Sequence, residues 1–258
     1  MFFLFFTHLG IGLLACMLLV SYQRLGRPFF TLNALLALGF LLLALATRSS
    51  RGQSLPREIV LCVALAAAYA ASIRFRRNAV SPALLVAAAA CGAVSIVREA
   101  AVLAALPGAR LSTPLLAAHF LTSAALLGSV TLDMILGHFY LVIPNLSFGP
   151  LRRLTLAFAV ALGLRLAISA YTLVRAWDVW SSAWKSDSTR FLLQYGFFLT
   201  LRVLFGIVGP VVLAYLVWEC VRIRSNQSAT GILYVATAIV LIGEIASKYF
   251  LTTAAILL

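Results

Sequence analysis

The sequence predicts an all-α, polytopic integral membrane protein, with residues 1–258 forming a single transmembrane domain. Of the 258 residues, 63% are apolar and 10% are charged, whereas a soluble domain has roughly 45–50% and about 25%. The apolar residues recur in runs that approach or exceed the roughly 17–25 residues that a crossing helix needs. Basic residues cluster between these runs, as membrane insertion requires.

Taken in order, the apolar runs predict about eight membrane-spanning helices, at residues 2–21, 29–47, 58–73, 79–97, 113–143, 154–174, 191–219 and 229–258. The first run lacks a basic leading region and a small-residue cleavage pattern, so we expect a retained helix. The stretch from Arg98 to Arg110 is too short to cross and contains Pro107-Gly108, which predicts a loop. The fifth run exceeds one crossing and stops at Pro144, which predicts a tilted helix.

Eight spans would place both termini on one side of the membrane, and the loop charges then choose the side. One set of loops has Glu219 as its only nearby acid and carries Arg24, Arg27, Arg74, Arg76, Arg77, Arg152, Arg153, Arg222 and Arg224. The other loops combine basic residues with Glu58, Glu99, Asp178 and Asp187. The positive-inside rule therefore favours periplasmic termini in a bacterial inner membrane. Topology also explains the net charge of +13, so no nucleic-acid partner is expected.

Two further residue sets bear on partners and metals. Trp177, Trp180 and Trp184 would share one face of a helix, which favours an interfacial segment or a docking surface. The cysteines lack Cys-x-x-Cys spacing and predict small buried residues rather than a zinc or iron–sulfur site; they are Cys16, Cys62, Cys91 and Cys220. The sequence contains no Gly-rich phosphate loop, zinc-protease motif or nucleophile elbow.

Ionisable residues inside apolar runs are candidates for function, because charge in hydrocarbon is costly unless it is paired or hydrated. Asp133 and Arg165 fall at a similar predicted depth, roughly 15–17 Å from the inner surface, and Arg202 lies near that level. We expect Asp133 and Arg165 to form an ion pair, which either fixes helix register or belongs to a proton path.

A second polar group is predicted nearer the outer side, where His8, His119, Glu244 and Lys248 gather. Glu244 and Lys248 are four residues apart and face the same way on a helix. Imidazole and carboxylate groups at membrane depth suit a quinol site, because oxidation of a quinol releases two protons. A structural hydrogen bond is the alternative for each histidine.

His8 and His119 share a depth and could also hold a b-type haem between two helices. His119 and His138 could not do so together, because nineteen residues of one helix separate them by roughly 28 Å. His138 belongs to the segment Gly137-His138-Phe139-Tyr140, to which the sequence attaches no mechanism.

Several short motifs resemble the membrane anchor subunits of the dimethyl sulfoxide reductase type, known as DmsC-like proteins. The most specific is the last, in which a basic residue follows Gly-Glu by four positions. The matching positions are Phe6-Thr7 with Gly10 and Gly12, Thr113-Pro114 with Phe120-Leu121-Thr122 and Gly128, Leu201-Arg202-Val203, and Gly243-Glu244 with Lys248.

The resemblance implies a subunit that holds an iron–sulfur subunit and a molybdopterin catalytic subunit at the membrane and binds menaquinol without haem. For this chain we expect menaquinone or ubiquinone as the bound substrate. The resemblance implies that Arg202, Glu244 and Lys248 bind the quinone. His8 and His119 are added to the quinone site only because of their predicted depth in the membrane. One departure is the segment Thr47-Arg48-Ser49-Ser50-Arg51, where the family is expected to have a histidine-bearing loop.

The leading hypothesis is therefore a non-catalytic membrane anchor in a respiratory or photosynthetic electron-transfer complex, with quinone, redox subunits and membrane lipids as partners. Two alternatives stay open. A proton-coupled small-solute transporter would use Asp133, Arg165 and Arg202 as a midplane site. A structural membrane subunit would use its polar residues to lock helices together.

Overall fold

The apolar runs become helices in the computed structural model, because backbone groups in hydrocarbon must bond within their own segment. The structure describes residues 1–75, 81–106, 112–143, 146–175, 177, 178, 181, 185 and 188–254. No β-strand occurs in these ranges, which confirms the all-α prediction. The helices are α1 (Phe2–Met17), α2 (Tyr22–Ser49), α3 (Arg57–Arg74), α4 (Ser81–Ala104), α5 (Thr113–Val142), α6 (Gly149–Arg175), α7 (Ser188–Val203), α8 (Gly209–Arg222) and α9 (Asn226–Ala254).

Six segments of the described chain are long and apolar enough to cross a membrane. They are α2, α4, α5, α6, the joined segment Tyr195–Arg222 and α9 from Asn226 to Thr253. The apolar helix α1 has 16 residues. Helix α3 has 18 residues but carries charge at both ends, in Arg57, Glu58 and Arg74. Trp177 is 61% exposed, and the predicted tryptophan face cannot be assessed because Trp180 and Trp184 lie outside the described residues.

The predicted loop from Arg98 is wrong in its first part, because α4 continues to Ala104. Arg98 forms an ion pair with Glu58 of α3, and Glu99 pairs with Arg48 of α2 at 2.9 Å. These partners neutralise the charges beside a buried Ala100, and the alanine-rich sequence itself favours a helix. The Pro107-Gly108 part of the prediction lies outside the described residues.

Two local breaks have identifiable causes. Near the start of α2, Gly26 has φ 72°, a left-handed conformation that glycine adopts readily, and Pro28 follows it. Between α7 and α8, the chain widens into a π-helical turn, Leu204–Val208. Pro210 at the start of α8 has no N–H to donate, and such turns commonly accompany breaks in helical bonding.

Successive spans alternate in direction, with α7 and α8 forming one joined span, so the bundle has two ends. We call the end where α1 begins and α9 finishes the first end, and the end where α2 and α9 begin the second end. Helix α5 is the most buried of the six spans, since 72% of the residues in its most apolar stretch lie inside the bundle. It packs against α1, α4, α6 and α9. Side chains that must meet away from lipid therefore converge on α5.

Candidate functional site

A buried polar cluster lies between five helices, nearer the first end. Its side chains come from α1, α5, α6, α7 and α9, and each is at most 5% exposed. The members are His8, His119, Ser123, Arg165, Ser169, Arg202, Glu244, Ser247 and Lys248.

Glu244 is the centre of this cluster. Arg165 donates from Nε to Oε1 at 2.9 Å and from Nη2 to Oε2 at 3.1 Å, which is the two-pronged geometry of a strong arginine–carboxylate pair. Arg202 Nη1 reaches Oε1 at 3.3 Å, and Lys248 Nζ reaches Oε2 at 3.0 Å. One carboxylate therefore ties α6 and α7 to α9.

Ser123 connects the carboxylate to α1 and α5. Its hydroxyl donates to Glu244 Oε2 at 2.5 Å, and its oxygen accepts from Lys248 Nζ at 2.5 Å. His8 Nδ1 is 3.2 Å from the same oxygen. A serine hydroxyl has one proton and two lone pairs. The proton of Ser123 goes to Glu244 and one lone pair accepts from Lys248, so the other lone pair accepts from His8 Nδ1, which is the donor.

His119 differs from the other members because neither ring nitrogen has a hydrogen-bond partner among the described residues. Its side chain is nevertheless completely buried, and its backbone carbonyl accepts from Arg165 Nη1 at 3.2 Å. Arg202 Nε also lacks a partner in the described chain. Buried donors and acceptors are normally paired, so the ring of His119 and Nε of Arg202 are the groups of the cluster left to bond a further polar group.

The cluster carries an excess of positive charge. Arg165, Arg202 and Lys248 surround Glu244, which is the only acid that pairs with them within the described chain. With neutral histidines, the excess is two charges. Since buried charge is expensive unless it is compensated, the cluster favours a ligand that brings negative charge or hydrogen-bond acceptors.

The predicted pair of Asp133 with Arg165 does not form, because Arg165 belongs to Glu244 instead. The cause is the start of α6, which lies at Gly149 rather than at residue 154. Arg165 is therefore sixteen residues, about 24 Å, from that start, whereas Asp133 is nine residues, about 14 Å, from the end of α5. Arg165 and Arg202 therefore belong to the buried polar cluster, and Asp133 remains in a separate layer.

Asp133 has its own partner on α6. Thr155 Oγ1 donates to Asp133 Oδ2 at 2.9 Å, while Oδ1 has no partner among the described residues. We predict that Thr155→Val destabilises the protein by about 1–3 kcal/mol, because it leaves a buried carboxyl group without its donor.

Thr131→Val is a matched control for that prediction, since the buried Thr131 hydroxyl has no hydrogen-bond partner in the described chain. Thermal unfolding in a mild detergent measures both variants. Equal melting temperatures for the two variants would show that the Thr155–Asp133 bond contributes nothing.

Close helix crossings bring the cluster together. A Cβ on Gly12 of α1 would overlap the backbone carbonyl of Ala124, and one on Gly128 would overlap Gly12. In the same way, Gly243 of α9 meets the backbone of Gly206 in the π-helical turn. Small residues permit such close backbone contact between membrane helices, and here they bring His8 and Arg202 within reach of Ser123 and Glu244.

The sequence analysis missed the serines that complete the cluster. Arg165 Nη2 donates to Ser247 Oγ at 2.9 Å, and Arg202 Nη2 donates to Ser169 Oγ at 3.3 Å. The available signal was helical spacing, because Ser123 follows His119 by four residues and Ser247 follows Glu244 by three.

His138 lies apart from the cluster, toward the second end. Its Nδ1 is 2.9 Å from the hydroxyl of Tyr234 on α9. Gly137 allows α5 and α9 to approach this closely, because a Cβ on Gly137 would lie only 2.9 Å from Thr230 Oγ1 on α9. Phe139 packs edge-on against Phe29, so the segment around His138 joins α5 to α2 and α9.

Two cavities lined by described residues open at the second end. The larger, about 770 Å³, has mainly apolar walls from α1, α2, α3 and α4 and includes Tyr22, Arg27, Tyr69 and Ser81. The smaller, about 360 Å³, lies between α6 and α8. Neither includes a member of the buried polar cluster.

Within the described ranges, no group of three or more histidine, cysteine, aspartate or glutamate residues is placed to hold a metal ion. Cys16 and Cys62 are buried, whereas Cys91 and Cys220 are partly exposed. Comparison with known proteins found no matching family model, curated protein or solved structure. The fold and the apolar helices define the class of the protein as a helical, multi-pass membrane protein.

Proposed function

We propose that the chain is the membrane anchor subunit of an electron-transfer complex and that quinol binds beside the buried polar cluster. The observation that carries this proposal is the pair of unpartnered ring nitrogens of His119 in a completely buried site. A quinol hydroxyl or quinone carbonyl supplies the complementary hydrogen-bonding group. Glu244 and His8 lie in the same hydrogen-bonded network, through Ser123.

Oxidation of a quinol releases two protons and two electrons. His119 would accept a proton directly, because its nitrogens have no described partner. Glu244 is hydrogen-bonded to Ser123 and Lys248, so protons would leave along this network. The electrons would pass to an iron–sulfur subunit and then to a molybdopterin-type catalytic subunit, the partners implied by the DmsC-like resemblance.

We further propose eight crossings, with both termini on the periplasmic side of a bacterial inner membrane. Helices α1 and α3 have 16 and 18 residues, about 24 and 27 Å at 1.5 Å per residue, which approaches the roughly 30 Å hydrocarbon core. At the first end, Arg48 and Arg98 pair with acids. At the second end, Arg24, Arg152 and Arg224 form no ion pair among the described residues, which supports its cytoplasmic location.

The test measures binding of a water-soluble menaquinone analogue to the purified protein. Quenching of tryptophan fluorescence reports the binding. We predict that His119→Ala weakens binding by about tenfold, equivalent to 1.4 kcal/mol, because the ring that bonds the quinone is lost. His138→Ala is the matched control and leaves affinity unchanged. Absence of binding by the unaltered protein, or equal affinity in both variants, would contradict the proposal.

The larger cavity is the competing location for a quinone ring, because its volume of about 770 Å³ lies within the usual range of ligand pockets. Val86→Trp would fill that cavity from α4. If this variant abolishes binding while His119→Ala does not, quinone binds at the second end and the role of the cluster is structural.

A proton-coupled transporter remains the second candidate, favoured by the excess of positive charge around Glu244, which suits an anionic solute. Co-purification separates the two functions. An anchor is recovered with iron–sulfur or multihaem subunits, whereas a transporter is recovered alone and moves carboxylates into liposomes. Recovery with partners but without bound quinone favours a structural subunit.

A further inference from the structure

The smaller cavity at the second end has arginine on several sides. It lies between the start of α6, the end of α8 and the turn that leads to α9. Its lining residues are Phe148, Gly149, Arg152, Trp218, Val221, Arg222 and Arg224. A fourth arginine is close, because a Cβ on Gly149 would be 3.0 Å from Nη1 of Arg24.

Most of this positive charge is uncompensated. Arg222 pairs with Glu219 at 2.5 Å, and the guanidinium of Arg152 lies over the ring of Trp218, 5.9 Å from its centroid. Arg24, Arg152 and Arg224 form no ion pair with any residue that the structure describes. A cavity with such walls attracts an anion.

The level of the cavity in the bundle identifies the kind of anion. Arg152 is three residues after the start of α6, and Arg222 is the last residue of α8, so both lie about where a helix leaves the hydrocarbon. Trp218 lies one turn deeper on α8, as is usual for tryptophan at a membrane interface. The apolar side chains of Phe148 and Val221 complete the walls.

We propose that this cavity binds the phosphate headgroup of an anionic phospholipid, with the acyl chains lying against the outside of α6 and α8. Arginine offers paired donors that match phosphate oxygens. Basic pockets between membrane helices on the cytoplasmic side are known to take anionic headgroups. A zwitterionic lipid gains less, because its own cation is repelled by the same arginines.

The experiment measures phosphatidylglycerol retained by the purified full chain, by native mass spectrometry during titration in detergent. We expect Arg152→Gln to weaken retention about fivefold, since one arginine near a membrane surface contributes about that factor. Arg153→Gln is the matched control: Arg153 is the next residue of the same helix and is exposed, but it does not line the cavity. It leaves retention unchanged.

If Arg152→Gln fails to fold, Arg224→Gln in the exposed turn replaces it, with the same expected loss. Equal weakening by Arg152→Gln and Arg153→Gln would reduce the effect to general surface charge and overturn the proposal. Equal retention of phosphatidylcholine would overturn it too. Inorganic phosphate that displaces the lipid at millimolar concentration would identify a site for free phosphate instead. None of these results depends on whether quinone binds the cluster.

Discussion

Glu244→Gln is expected to destabilise the bundle by about 3–5 kcal/mol, because it removes the one anion that three buried cations share. Arg165, Arg202 and Lys248 all bond its carboxylate, and their side chains are at most 1% exposed. A neutral amide can still accept a hydrogen bond but cannot offset their charge. The loss would also weaken the attachment of α6 and α7 to α9, since the contacts between these helices include those ion pairs.

Thermal unfolding in detergent, with helix content followed by circular dichroism, measures the effect. Glu219→Gln is the matched control, because Glu219 pairs with the largely exposed Arg222 and such surface pairs contribute about 0–1 kcal/mol. The double variant Glu244→Gln with Lys248→Met tests the cause, since it removes one of the unpaired cations. A partial recovery supports the charge argument, and a further loss would contradict it.

The buried polar cluster illustrates what the sequence could predict. Glu244 and Lys248 follow helical spacing, and the structure brings them to 3.0 Å. His8 and His119 were assigned to the same level by counting residues from the helix starts, which lie close to where the apolar runs begin. His8 is indeed joined to Glu244 and Lys248 through Ser123. Spacing and depth were sufficient because His8, His119 and Lys248 each lie six residues from a helix end. Glu244 is then placed by being one helical turn from Lys248.

Arg165 shows why the same method failed for α6. Its predicted partner depended on where α6 begins, and apolarity placed that start five residues late, at residue 154 instead of Gly149. Five residues correspond to about 7.5 Å of helix, which is more than the length of an ion pair. Arg152 and Arg153 caused the error, because charged residues in the first turn of a membrane helix resemble a loop.

The serines and the glycine contacts of the cluster could not be deduced from one sequence. Serine occurs throughout apolar helices, and the four-residue spacing of Ser123 from His119 does not identify its bonding partners, which are fixed only when α1 and α9 pack against α5. Which of three nearby cations bonds Glu244 most closely also depends on helix rotation. That rotation is fixed by the close contacts of Gly12 with Gly128 and of Gly206 with Gly243.

Gly12→Ala is therefore expected to destabilise the protein by about 3 kcal/mol, at the upper end of what overpacking commonly costs. The new methyl group would overlap the carbonyl oxygen of Ala124 and the backbone of Gly128, and neither can move without displacing a helix. Helix α1 must then shift away from α5. His8 would lose its contact with Ser123, and binding of the menaquinone analogue would weaken along with stability.

Gly163→Ala on α6 is the matched control, because no atom lies within 4 Å of its added Cβ. Alanine there is expected to be neutral or to stabilise the helix by up to about 1 kcal/mol, since glycine is the poorer helix former. The two substitutions add the same methyl group to helices of one bundle, so opposite effects on the melting temperature isolate the crossing of α1 and α5. Equal effects would mean that helix propensity, and not the contact of Gly12 with Gly128, determines the outcome.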